Sequence, residues 1–233
     1  MSKLFACRST FNEDLSEWIT SSVTTMAGLF LQASMFNSDV SRWDLSNVQD
    51  MQMMFLGASS FNIDISLWST SNVKNMNYLF ANAVAFDQNL MKWDVSDVLT
   101  MNSMFRGASS FQGNEIGNWG VSQVTDMQWM FLGASNFNGI INAWDVSNVK
   151  YMMAMFKEAK VFNADISRWD VSNANDLSYM FHGAESFNID ISTWDVSNVS
   201  KMLAMFKNAY AFDGGNIYYK WDASNVSNVF EMF

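Results

Sequence analysis

The chain has no proline, one cysteine and one histidine in 233 residues. With Cys7 alone, no disulfide can form within the chain, and the fold must hold by packing. With only Cys7 and His182 available, no Cys/His zinc site can be assembled. A Ser/His/acid set is equally implausible, and no glycine-rich phosphate-cradling loop is present. Basic residues are few: 13 Lys and Arg stand against 23 Asp and Glu, a net charge of −10. That balance disfavours nucleic acid, whose phosphates require a basic face, and it disfavours an anionic membrane surface. No apolar run approaches the roughly 18 residues of a membrane span. The opening MSKLFACRSTF has no apolar core of the kind a signal peptide carries.

What is abundant is repeated. There are 19 methionines, 20 phenylalanines and 10 tryptophans. Nine of the tryptophans keep one phase: Trp18, Trp43, Trp68, Trp93, Trp119, Trp144, Trp169, Trp194 and Trp221. The intervals are 25, 25, 25, 26, 25, 25, 25 and 27 residues. Trp129 alone is out of register. A phenylalanine precedes each anchor, from Phe11 to Phe212, and a methionine or its equivalent follows it, from Met26 to Val229. The consensus reads M-x-x-M-F-x-G-A-x-x-F-N-x-D-I-S-x-W-D-V-S-N-V-x-x. A fixed period of this length is the mark of a repeat architecture. The phase divides one repeat domain into units 1–25, 26–50, 51–75, 76–100, 101–126, 127–151, 152–176, 177–201 and 202–228, with 229–233 opening a tenth. Both length changes fall between the second Phe and Trp, in FQGNEIGNW and FDGGNIYYKW, which places a surface bulge there. No capping element is visible at either end, so the chain is expected to be part of a longer one, or to have its ends covered by other chains.

Within a unit, Val48, Met51, Phe55 and Ala58 fall at i, i+3, i+7 and i+10, which predicts a helix. Ser46 or Asn47 suits its N-cap and Gly57 its exit. The Asn62–Ser66 segment is too short for a helix and reads as a strand with Ile65 inward and Asp64 and Ser66 outward. The expected fold class is therefore α/β: a curved, leucine-rich-repeat-like solenoid with one short strand and one helix per coil. Strands stack at ~4.8 Å and helices at ~8–10 Å, so the parallel sheet should line the concave side.

The motif WDVSNV-x-x-M-x-x-MF-x-x-A-x-x-FN-x-DIS resembles the BspA-like leucine-rich-repeat surface proteins, in the branch with about 25–26 residues per unit. That branch is found in bacteria, mycoplasmas and algae. The resemblance covers the whole chain. It implies a leucine-rich-repeat scaffold on a cell surface or secreted, used for adhesion or protein contact, with no catalytic residues and no cofactor. Departures occur at Arg8 and Ile19 in the first unit, Gly120 in the fifth and Ile140 in the sixth. No lipoprotein signal is visible, so membrane attachment is not implied.

Several residues are candidates for function. The position before each tryptophan varies while its neighbours repeat, and Arg42, Lys92, Arg168 and Lys220 stand there. Trp129, out of register, and Tyr218 and Tyr219, in the last insertion, are candidate aromatic anchors. The row Asp14, Asp39, Asp64, Asp165 and Asp190 would stack carboxylates that repel one another, and bound calcium would relieve that. Hydrogen bonding to nearby backbone or serine is the plainer reading. Asn12, Asn37, Asn62, Asn138, Asn163 and Asn188 read as a ladder satisfying turn backbone. His182 aligns with Leu56, Arg106, Leu132, Lys157 and Lys207, which predicts an exposed side chain. The sequence thus points to a non-enzymatic scaffold that binds protein. The alternative is a carbohydrate-binding module, which tryptophans exposed at regular spacing would favour.

Overall fold

The 13-residue stretch expected to be helical is a run of tight turns in the computed structural model, which describes residues 1–233. Met54, Leu56 and Ala58 donate their N–H groups to the carbonyls of Met51, Met53 and Phe55, three residues back. The alternate N–H groups leave the coil altogether. Met51, Met53, Phe55 and Gly57 donate to the carbonyls of Asn75, Asn77, Leu79 and Ala81 in the next coil. A helix would have spent all of these groups internally. Here these four link the coil to the next one, while Gln49, beside the bridge, donates the opposite way to the Thr24 carbonyl at 2.9 Å.

Two residues per coil make this path possible. Numbering each coil from its Met26, Met51 or Met76 position, the third and seventh residues have positive φ. Met53 stands at 58° and Gly57 at 74°, each the third residue of a four-residue turn. That place in a type II turn requires φ > 0. Gly57 meets the requirement without steric cost, so its role is a turn rather than a helix exit. Tyr78, Ser103, Trp129, Ala154, Tyr179 and Ala204 take the left-handed conformation at position three although none is glycine.

The expected α/β architecture is thus corrected. The only helix is α1, Ile217–Lys220, in the last insertion. No sheet forms, only eight single-residue parallel bridges, from Thr25↔Asp50 through Asp50↔Asn75 to Lys201↔Asn228. These bridges adjoin the segment read as helical. The segment read as a strand, Asn62–Ser66, makes none. Ile65 is buried there and Asp64 exposed, as the alternation suggested, but the Asp64 carboxylate accepts the N–H of Ser66 at 2.9 Å and turns the chain. Spacing alone could not separate helix from turns. The inward residues Met51, Met54, Phe55 and Ala58 are fully buried in either geometry.

The core is built of ladders. Phe55 stacks on Phe61 within its coil at 3.8 Å between ring centroids, and on Phe80 of the next coil at 5.7 Å. Offset stacking of this kind suits the aromatic quadrupole. Ring separations between the same pair of coils widen from 5.7 Å at Phe55–Phe80, to 5.9 Å at Phe61–Phe86, to 6.3 Å at Trp68–Trp93. The coils therefore fan slightly apart from the bridged edge toward the tryptophans. With only single bridges, no parallel sheet lines a concave side as the sequence reading expected.

Polar groups are satisfied by the same repetition. The Trp68 indole donates to the Val40 carbonyl at 3.0 Å, and Trp43, Trp93, Trp119, Trp144, Trp169, Trp194 and Trp221 make the equivalent bond. The asparagine ladder forms: the Asn37 carboxamide oxygen accepts the N–H of Asn62, and that of Asn62 accepts the N–H of Asp87. Asn47, expected at a helix N-cap, instead donates its side chain to the Ser21 carbonyl of the preceding coil at 2.8 Å. The length changes are absorbed locally. In the last, Ile217 of α1 fills the buried isoleucine position and Trp221 donates its N–H to the Ile217 carbonyl.

Candidate binding face

The bridged face carries a stripe built from the third and sixth residues of each coil. Positions three and six lie off the core ladders, and their side chains are half-buried at Met53 and Leu56, Tyr78, Trp129 and Leu132, Lys157, Tyr179 and His182. Ser103 is fully buried and Ala154 only 2% exposed, although both occupy this row. Each lies between two coils that carry Tyr78, Trp129 or Tyr179 there, so bulky side chains flank the small ones. The result is a row in which apolar and aromatic side chains are interspersed with small and basic ones.

Its charge differs from that of the rest of the chain. In coils two to nine, positions three and six hold no acidic residue, whereas position six supplies Arg106, Lys157, His182 and Lys207. The Lys157 ammonium sits 5.0 Å from the centre of the Tyr179 ring, within cation–π range. Lys207 pairs with Glu231, and Lys201 with Asp176 at 3.7 Å. Arg106 and Lys157 have no carboxylate in ion-pair reach. Beside the stripe, Asp126 is engaged by Asn102 at 3.1 Å and by the N–H of Gln128 at 2.9 Å.

His182 corrects its expectation of exposure: only 16% of its side chain is accessible. Its Nε2 lies 3.8 Å from Glu158, and its Nδ1 is buried without a partner. Burial lowers its pKa below the ordinary value, and nearby Lys157 and Lys207 act in the same direction, while Glu158 and Glu231 oppose them.

The other candidates are scattered. Arg42, Lys92, Arg168 and Lys220 are all exposed in a row before the tryptophans. Each stands near an aspartate of the DIS row. Asp39 is held below the usual carboxylate range by the Ser41 hydroxyl and amide first, with Arg42 adding to the effect. Asp64, Asp165 and Asp190 are lowered in the same way by Ser66, Ser167 and Ser192, with Lys92, Arg168 and Lys220 contributing. Asp14 follows through Ser16. Each of the five carboxylates accepts the N–H of the serine two residues on, at 2.9 Å. No three acidic, histidine or cysteine side chains converge on a common point. Trp129 belongs to the stripe, on a turn with φ of 56° and not on a helix. Tyr218 and Tyr219 are 65% and 89% exposed on α1, beside Lys220. The in-phase tryptophans Trp43 to Trp194 are at most 4% exposed, with their indole N–H groups already committed, so they offer no regular stacking platform to a sugar.

The sequence singled out Trp129 but missed Met53, Leu56, Tyr78, Leu132 and Tyr179. The signal was present, since positions three and six change from coil to coil just as the pre-tryptophan position does.

Two solved structures share some likeness. The first, described as a crystal structure of a TLR13–ssRNA13 complex, is 11% identical with a TM-score of 0.30, and the match covers 82% of this chain and 30% of that one. The second is a leucine-rich cell surface protein from Faecalibacterium prausnitzii A2-165, 10% identical with a TM-score of 0.27, covering 83% of this chain and 76% of that one. At such scores neither likeness carries an argument, and the chain spans under a third of the first protein's length. No curated protein matches the sequence. The family model does match, over residues 1–116 and again over 104–218, which together take in nearly every coil. The chain belongs to the family described as Mycoplasma protein of unknown function, DUF285.

Proposed function

We propose that the chain is a non-catalytic repeat scaffold that holds a protein partner, displayed on a cell surface or built into a larger assembly. The observation that supports this reading best is the stripe on the bridged face. Inward positions repeat from coil to coil to keep the ladders in register. Positions three and six are free of that constraint and hold Tyr, Trp, Met and Arg, the residue types enriched at the centres of protein interfaces. The exposed row of Arg42, Lys92, Arg168 and Lys220 would serve as a polar rim. Surface display rests on the resemblance to leucine-rich-repeat surface proteins.

The test is a pair of measurements on the full chain. It is immobilised and exposed to extracts of its native source, with retained proteins identified by mass spectrometry, and it is also applied to a glycan array. Specific retained proteins without glycan signal support the scaffold reading. Glycan signal without protein retention replaces it with the carbohydrate-binding one.

A further inference from the structure

The stripe combines two properties that separately would say little. It is apolar and aromatic, and two of its cations, Arg106 and Lys157, stand in no ion pair in a chain whose net charge is −10. The Arg106 guanidinium is exposed and the Lys157 ammonium half-buried, and neither has an acidic partner. Lys157 stands over Tyr179, so an aromatic ring faces the cation. Most carboxylates near other cations are already tied into turns or ion pairs. A face built this way repels basic partners weakly, attracts acidic ones, and gives both the apolar area that makes an interface hold.

We propose that the surface formed by Leu56, Tyr78, Trp129 and Leu132, with Arg106 and Lys157 beside it, docks an acidic polypeptide segment bearing leucine or aromatic anchors. This rests on the protein-contact reading above and names the partner's chemistry. The anchors lie against the half-buried side chains of positions three and six. The partner's carboxylates meet Arg106 and Lys157, the two cations left unpaired. Position three tolerates the change that tests this, because Ala154 and Ala204 already occupy it in other coils with the same left-handed backbone.

The experiment is a selection from a random 12-residue peptide display library against the full chain, followed by fluorescence anisotropy on the selected peptides. Selected peptides enriched in Asp or Glu together with Leu, Phe or Trp are the expected result. Their affinity should fall about tenfold or more in Trp129→Ala. It should fall severalfold in Arg106→Glu and Lys157→Glu, and weaken as salt is raised, since screening acts on the charged part. Arg106→Glu alters an exposed side chain and keeps the test open if the tryptophan variant folds poorly. Basic or uncharged selected peptides, or affinities indifferent to all three substitutions, would overturn the proposal. Acidic peptides lost instead on Arg42→Ala and Arg168→Ala would overturn the docking site but leave the protein-contact reading standing. Enrichment of no peptide, with glycan-array signal abolished by Trp129→Ala, would remove both.

Discussion

The indole nitrogen of Trp68 donates to the carbonyl of Val40, 28 residues earlier, at 3.0 Å. Trp68 is 2% exposed, so water does not compete for this bond. The Val40 oxygen otherwise accepts only the N–H of Trp43, at 3.2 Å. Trp68→Phe removes one of the two hydrogen bonds to that buried oxygen and is therefore expected to cost about 0.5–1.5 kcal/mol. Trp68→Ala should cost about 3–5 kcal/mol through the added cavity. Trp18 is the internal control. It is 36% exposed, so Trp18→Phe should move the urea midpoint much less.

Two glycines separate backbone conformation from space. A Cβ on Gly139 would lie 2.2 Å from the Gly113 carbonyl oxygen, a backbone atom that cannot step aside. Gly133 has φ of 70°, but the nearest atom to an added Cβ is 3.8 Å away. Gly133→Ala should cost about 1–2 kcal/mol, the usual penalty of the left-handed region. Gly139→Ala should cost about 3 kcal/mol, as overpacking against fixed backbone does. Gln32, Asn82 and Glu158 share the conformation of Gly133 at its position, in agreement with the milder effect. Equal losses in thermal denaturation would show that the contact at Gly139 relaxes.

The asparagine ladder predicts a chemical distinction at Asn62. Its carboxamide oxygen accepts the N–H of Asp87 at 2.9 Å and the side-chain amide of Gln88 at 2.8 Å. Asn62→Ala removes both and should cost about 1 kcal/mol. Asn62→Asp keeps the acceptor and should cost less, because Asp87 itself accepts the N–H of Gln112 at 3.0 Å. Chemical denaturation of the two variants side by side checks the order.

His182 makes stability depend on mildly acidic pH. Its folded pKa is depressed from 6.5, chiefly by burial, in a setting that also holds Lys157, Glu158, Lys207, Glu231 and the Tyr179 ring. The unfolded chain then takes up the proton more readily than the folded one. The stability contributed is fully present above the unfolded pKa and is lost as pH falls from about 6.5 through the lower folded value. Leucine stands at this position in Leu31, Leu56 and Leu132, so His182→Leu should fold and flatten that part of the profile. A melting temperature that falls equally in both proteins between pH 6.5 and 5 would assign the effect to other groups.

The period, the phase and the inward residues were legible in the sequence because they follow from composition repeating at fixed spacing. Phe55, Phe61, Ile65 and Trp68 are buried where the repeat puts them. The asparagine ladder was legible for the same reason. The local geometry was not. Val48, Met51, Phe55 and Ala58 satisfy a helical spacing, but what decides the matter is the left-handed turn at Met53, a residue with no intrinsic preference for it. Only the chance to bond Met51, Met53, Phe55 and Gly57 to the next coil compensates, and that interaction is 24 residues away. The stripe follows from variation rather than repetition: positions three and six change from coil to coil, and a three-residue spacing sets them side by side in a helix and in these turns alike.

The bridged face has a direction. Met51, Met53, Phe55 and Gly57 all point their N–H groups toward the higher-numbered coil, and the same holds from Met26 to Phe206. In an ordinary sheet such dipoles alternate and largely cancel. Along this face four bonds per coil align, opposed by one at the bridge such as Gln49 to Thr24, which leaves a net positive end toward the later coils. Lys157 and Lys207 lie at that end, while Leu31 and Leu56 lie at the other. The two ways of running along the stack are therefore electrostatically unequal. For the acidic segment proposed to dock on the stripe, the expected heading sets its carboxylates toward the later coils, and its sequence reversed end to end should bind less tightly.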